Sequence, residues 1–222
     1  MKKILLCTLL LASTGYISLA RGEKDRDENV SIYKGNMTIS AAYGFPSIIR
    51  GFLKLKTTRS EYKIYGVGPL MFKFDYMIGN KWSIGLNGAY NFSRISWMDD
   101  GYDTTIHGNR PYEYGIEAEE ISATVRGNYH FKRTSKLDAY AGIGMGYGRL
   151  SLGTYTEAPL NQFSVGYSLP KPLSFEGTVG CRYYVLKNIG IYGEFGLGKS
   201  WLLFKKYFLP EAIIQAGLNI KF

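Results

Sequence analysis

Apolar residues recurring at every second position constrain this chain more than any other feature, because that period belongs to a strand with one apolar face. It is clearest at the end, where Ala212, Ile214, Ala216, Leu218, Ile220 and Phe222 fall on one face and Gln215, Gly217, Asn219 and Lys221 on the other. The alternation recurs near residues 35–43, 67–77, 82–93, 120–131, 137–149, 174–185 and 189–199, which with the last strand makes eight. Three short connections, Gly79-Asn80-Lys81, Arg133-Thr134-Ser135 and Lys187-Asn188-Ile189, have centres 54 residues apart. Longer polar segments lie between them, at about 45–65, 94–119, 150–172 and 200–210. Short turns at one end and long loops at the other are how bacterial membrane barrels are built, with the long loops outside the cell. The expected fold is all-β, a membrane-spanning antiparallel up-and-down barrel of eight strands.

The start of the chain reads as an export signal. Lys2 and Lys3 precede the apolar run Ile4 to Ala12, and Ser18-Leu19-Ala20 supplies the small residues of a cleavage site before Arg21. The run is too short to cross a bilayer as a helix, and Cys7 lies too near its start for a lipoprotein cut. Removal of residues 1–20 leaves 202 residues, enough for one closed sheet, and lowers the net charge from +9 to +7. An exported basic chain meets lipid head groups before it meets nucleic acid, so no nucleic-acid partner is expected. Cys181 is the one cysteine left and can form no internal disulfide. With 27 Gly, 19 Tyr and 12 Phe the composition favours strands over helices. Residues 21–32 carry charge and almost no apolar content, as expected of a short disordered periplasmic segment before a barrel spanning 33–222.

Aromatic residues fall where a lipid boundary needs them. Tyr76, Trp82, Tyr129, Phe131, Tyr183 and Phe222 sit beside the short turns, and Tyr43, Tyr90, Phe92 and Tyr147 toward the long loops. Together with the strand count and the terminal Phe222, this resembles the small eight-stranded outer-membrane proteins of the OmpA and OmpX type. The stretches GFPSIIRGFLKL (44–55), GPLMFKFDYMIGNKWSIGL (68–86) and NIGIYGEFGLG (188–198) are similar to outer-membrane β-barrel domain proteins of Bacteroidetes. The resemblance implies a Gram-negative outer-membrane location. It also implies that Leu218, Ile220 and Phe222 form a C-terminal signal read by the outer-membrane assembly machinery. It implies no activity, since this fold hosts adhesins, enzymes and scaffolds alike.

The other strand face is polar and charged. Lys73, Asp75, Arg126, His130, Asp138, Glu176, Arg182, Glu194, Gln215 and Lys221 alternate away from lipid, and a turn centred at 188 sets Arg182 opposite Glu194. Such charges serve either a pore or an interior network, and eight strands enclose little more than the volume of their own side chains. A closed lumen is expected.

Catalysis finds little support. His107 lies in the second long segment with Ser96, Asp99, Asp100 and Asp103, from which a Ser-His-Asp set could be drawn, but polar groups in a loop are the ordinary case. The acids lack the spacing of a calcium loop, so neither metal nor cofactor is expected. The first long segment is basic and also contains Ile48, Ile49, Phe52, Leu53 and Leu55, which fit an amphipathic turn on the outer leaflet or a plug over the barrel mouth. Its basic residues could meet lipid phosphates or the acidic second segment. Asp103-Thr104-Thr105 resembles a short O-glycan acceptor pattern. The expected function is that of a structural or interaction protein with a closed lumen and outer loops. A lipid-modifying enzyme or a narrow pore are the alternatives, and the extracellular partner is unspecified.

Overall fold

Each alternating segment forms a strand whose two faces meet different surroundings. The computed structural model describes residues 30–56, 61–103, 106–157, 166–202, 205–207 and 212–222. The expected signal peptide and residues 21–29 lie outside these. The elements are β1 (Met37–Phe45), α1 (Ile48–Lys56), β2 (Lys63–Met77), β3 (Trp82–Asp103), β4 (Gly108–Arg133), β5 (Leu137–Thr156), β6 (Tyr167–Tyr184), β7 (Ile189–Leu202), β8 (Lys205–Tyr207) and β9 (Ile214–Lys221).

Strands β1 to β7 pair antiparallel in sequence order, β7 pairs with β9, and β9 returns to β1 over Thr38↔Lys221 to Phe45↔Ile214. The eight staves form a closed ring, and β8 stands outside it, paired with β7. Phe222 and Met37 exchange two backbone hydrogen bonds, at 2.8 and 3.1 Å, so the seam is bonded to its last residue. Closure removes both sheet edges, which hydrocarbon could not solvate.

Burial across this wall is the reverse of a soluble barrel's. Outward Ile143, Leu218 and Phe72 are 78, 63 and 60 % exposed, whereas inward Lys73 and Asn219 are 2 and 0 % exposed. An apolar outside and a polar inside suit a wall whose outer solvent is hydrocarbon. Trp82 and Tyr129 meet in a tilted contact, centroids 5.0 Å apart, near the short turns, and outward Phe131, Tyr183 and Phe222 lie at the same end.

Four expectations change. Residues 94–119 are not a loop: β3 and β4 run on as a hairpin that keeps its register from Arg94↔Glu117 to Asp103↔Gly108. Strands β5 and β6 likewise extend into the third long segment, pairing as far as Leu152↔Tyr167. Ala212 does not join the outward row, because β9 begins only at Ile214, and it is buried with Ala42, Met71, Ala89 and Tyr192. The end of the leading segment is ordered against the barrel. Ile32 is fully buried, Ser31 N donates to Thr134 O at 2.6 Å, Lys221 Nζ donates to Ser31 O at 2.6 Å, and Arg133 Nη1 donates to Ile32 O at 3.0 Å. Asn36 Nδ2 donates to Phe222 O at 3.2 Å, which ties this strap to the seam.

Helix α1 is amphipathic and folds inward. Leu53 is buried against Ile95 and Ala118, with Ile49, Tyr62, Ile64, Trp97 and Leu152 around it. Its partners come from β2, β3, β4 and β5, so the helix plugs the mouth opposite the short turns. Ser47 caps it, accepting from Arg50 N at 3.3 Å.

Candidate functional site: a charged lumen network

The inward faces of β2, β4, β5, β6 and β7 converge on one buried cluster. Asp75 forms ion pairs with Arg126, at 3.5 Å, and with Arg182. Arg182 also reaches Asp138 at 3.4 Å. Glu194 accepts from Lys73 at 2.5 Å, from Arg126 Nη2 at 3.0 Å, from the Tyr140 hydroxyl at 2.8 Å and from Gln215 at 3.0 Å. The ion-paired side chains are at most 1 % exposed. Three cations, Lys73, Arg126 and Arg182, therefore face three carboxylates, Asp75, Asp138 and Glu194. A desolvated set persists only when its charges are matched in this way.

Tyr140 stands at the centre, fully buried, with the Arg182 and Arg126 guanidinium carbons 4.6 and 5.7 Å from its ring centroid. Two glycines make the room. A side chain at Gly180 would meet the Tyr140 phenol at 2.8 Å, and one at Gly85 would meet Asp75 Oδ1 at 2.1 Å. His130 extends the network toward the short turns, with Nδ1 2.7 Å from Asp138 Oδ1 and Nε2 3.0 Å from Ser83 Oγ. Asn128 donates to Asp75 at 3.0 Å and to Ser83 at 3.1 Å.

The pairing runs across the lumen as well as along the wall. Asp75 on β2 and Arg182 on β6 occupy opposite staves of the ring, and Glu194 on β7 reaches Lys73 on β2 and Arg126 on β4. Arg182 and Glu194 do not face each other. Arg182 pairs with Tyr192, and Gly180 with Glu194, because the last β6–β7 pair is Tyr184↔Gly190 and the turn centres on 187 instead of 188. Moving a hairpin centre by one residue moves every partner by two and leaves each side chain on the same face, so alternation cannot detect it. The β4–β5 hairpin, closed by Arg133↔Asp138, is also centred later than expected, and the equal 54-residue spacing is lost.

Two of the expected inward residues lie away from the centre. Lys221 sits at the rim, its Nζ 4.7 Å from the Tyr184 ring centroid and bonded to the strap. Glu176 is half-buried opposite Gly144 on β5. Sequence reasoning missed Tyr140, Asn128 and Ser83, although each lies on an inward position of its strand, because an uncharged side chain does not by itself mark a network member.

The outer hairpin does not assemble a Ser-His-Asp set. Ser96 is buried and donates to Glu113, whereas His107 is exposed at the hairpin tip with φ +47°. Ser96 lies seven positions down β3 from Asp103, roughly 24 Å along an extended strand. Asp103 instead pairs with Arg110 at 3.6 Å. Thr104 and Thr105 of the glycan pattern lie outside the described residues.

The sequence matches no family model and no curated protein. The fold is similar to solved small outer-membrane barrels. Against the N-terminal β-barrel domain of OprF from Pseudomonas aeruginosa the identity is 13 %, the match covers 86 % of this chain and 100 % of that one, and the TM-score is 0.44. The outer-membrane protein OprG of the same organism gives 12 %, 87 and 99 %, and 0.44. Ail, the attachment invasion locus protein of Yersinia pestis, gives 13 %, 85 and 99 %, and 0.39. The closed ring described above makes this chain an all-β barrel of eight antiparallel staves, of the kind the OmpA and OmpX resemblance implies.

Proposed function

We propose that this chain is an outer-membrane barrel of a Gram-negative cell that conducts nothing through its lumen and works by its wall and outer face, as a structural or interaction protein. The observation that carries this reading is the Asp75–Arg182 pair, which joins opposite staves in a site with 1 % side-chain exposure. An ion crossing there would have to separate these desolvated charges. Breaking such a pair in a dry site costs about 3 to 5 kcal/mol. The α1 plug supports the same reading from the other end. The outer hairpin of β3 and β4 extends beyond the pairing of β2, which ends at Lys63↔Ser96, and of β5, which ends at Tyr114↔Thr156. Among the described residues no strand is paired with this extension beyond those points, and we read it as the part of the outer face where a partner strand would add.

Purified protein in planar bilayers tests this. No steady conductance is expected from the native chain. A steady, ion-selective conductance in the native protein overturns the closed-lumen reading.

A further inference from the structure

The short-turn end of the barrel carries one sign of charge. Lys81 lies in the β2–β3 turn, Lys132 and Lys136 flank the β4–β5 turn, Lys187 lies in the β6–β7 turn, and Lys34 stands in the strap just ahead of β1. All five are exposed, and among the described residues none of them forms an ion pair. Asp75 and Asp138, the acidic side chains nearest to them along the strands, are buried in the lumen network. Residues 21–29, with four acids against three bases, lack the charge to neutralise the set. The outer end differs, since Arg94 there pairs with Glu117 and Arg110 with Asp103.

The placement of these cations indicates the shape of their partner. The three turns and the β1–β9 seam lie two staves apart around the eight-stave ring, so the lysines occupy every quarter of its circumference. A protein partner docks on one side, whereas a membrane surrounds the wall. The turns also carry exposed aliphatic side chains beside their cations, Ile78 at 53 %, Val185 at 59 % and Leu186 at 61 %. Such neighbours suit a lipid interface, where the aliphatic group meets acyl chain while the lysine reaches outward, and they gain nothing from a soluble polyanion. Trp82 and Tyr129 mark the level of that interface. Lys81 O accepts from His130 N at 2.8 Å, which makes Lys81 and Lys132 diagonal neighbours, roughly 7 to 8 Å apart at the backbone, beside this aromatic pair. Two flexible ammoniums at that spacing can reach one phosphate.

On the outer-membrane reading above, on which this inference rests, the short turns stand at the periplasmic leaflet, which is built of phospholipid. We infer that the ring of lysines is a docking surface for the anionic phospholipids of that leaflet, each ammonium meeting a diester phosphate. Lipids of net negative charge are selected over zwitterionic ones, whose own ammonium repels the lysines.

Native mass spectrometry of the folded protein in detergent, with equal amounts of phosphatidylglycerol and phosphatidylcholine, reads which lipid is retained. Phosphatidylglycerol is expected in about fivefold excess, the factor of one lysine near an anionic surface. The excess should shrink as ammonium acetate rises from about 0.05 to 0.5 M. Changing Lys34, Lys81, Lys132, Lys136 and Lys187 together to Gln should bring the two lipids to parity, whereas changing them to Arg, which keeps the charge, should preserve the excess. Changing Arg94, Arg110 and Arg149 of the outer end to Gln should leave it as it was. Equal retention by the native protein overturns the inference, as does a preference that vanishes with the arginines and survives loss of the lysines. Polyphosphate that binds the native protein but not the Lys-to-Gln variant, with no lipid preference, assigns the ring to a soluble polyanion and overturns it too. A heat-dependent shift in gel mobility verifies that each variant is folded. Its absence from the native protein overturns the membrane reading itself, whereas a shift with equal lipid retention overturns this inference alone.

Discussion

The two ends of the lumen are filled in opposite ways. In the half near the short turns, Arg126, Arg182, Asp75, Asp138 and Glu194 are packed to the exclusion of solvent and held by matched charge. At the outer mouth, Leu53 of α1 sits among Ile95, Ala118 and Trp97, as in a soluble protein. The difference follows from what lies outside each level of the wall. Where the wall meets lipid, its apolar residues lie outside and the inside is left to polar groups. Above the lipid both wall faces meet water, so apolar side chains gain by turning inward, and a helix supplies the surface they bury.

The contrast predicts a graded series of losses. Asp75→Ala leaves Arg126 and Arg182 without their shared carboxylate and should cost about 3 to 5 kcal/mol in urea unfolding from vesicles, the largest single effect. A cost under about 1 kcal/mol would show that water reaches the network and would erase the distinction between the ends. Leu53→Ala should cost about 2 kcal/mol, but locally. Proteolysis within α1 should accelerate while the global unfolding midpoint stays, and a matching fall in that midpoint would make plug and barrel one cooperative unit. Trp82→Ala removes the tilted contact with Tyr129 and should cost about 1 kcal/mol. Arg94→Ala breaks an ion pair with Glu117 that is 30 % exposed on each side, and should change stability by less than about 0.5 kcal/mol.

Sequence alone revealed the staves and their faces because lipid imposes a strict period on every strand it touches. Lys73, Asp75, Arg126, His130, Asp138, Arg182 and Glu194 were legible as inward for that reason. Their partners were not, since cross-lumen pairing depends on the stagger between strands, and a one-residue error in a turn misassigned Arg182 and Glu194. Residues 94–119 read as a loop because, beyond the lipid, no apolar face is required and the period fades, although backbone pairing continues. Ile48, Ile49, Phe52, Leu53 and Leu55 signalled an amphipathic segment but not which side of the wall it would choose. The strap was invisible, because one apolar residue, Ile32, anchors it and hydrogen bonds from distant side chains, those of Lys221 and Arg133 among them, and from the Ser31 backbone do the rest.

The seam between β1 and β9 differs from every other seam in the ring. Ser40 and Asn219, bonded across it at 2.9 Å, are 179 residues apart in sequence, whereas the other staves pair with neighbours in chain order. Closing so long a loop is the slowest step that chain entropy imposes. Until it is taken, the polypeptide is a curved ribbon with two hungry edges, and the stretch from Thr38 to Phe45 must wait for nearly the whole chain before it finds its mate. Time, as much as affinity, therefore governs the birth of this barrel, and any helper that shields those edges during the wait acts on the seam.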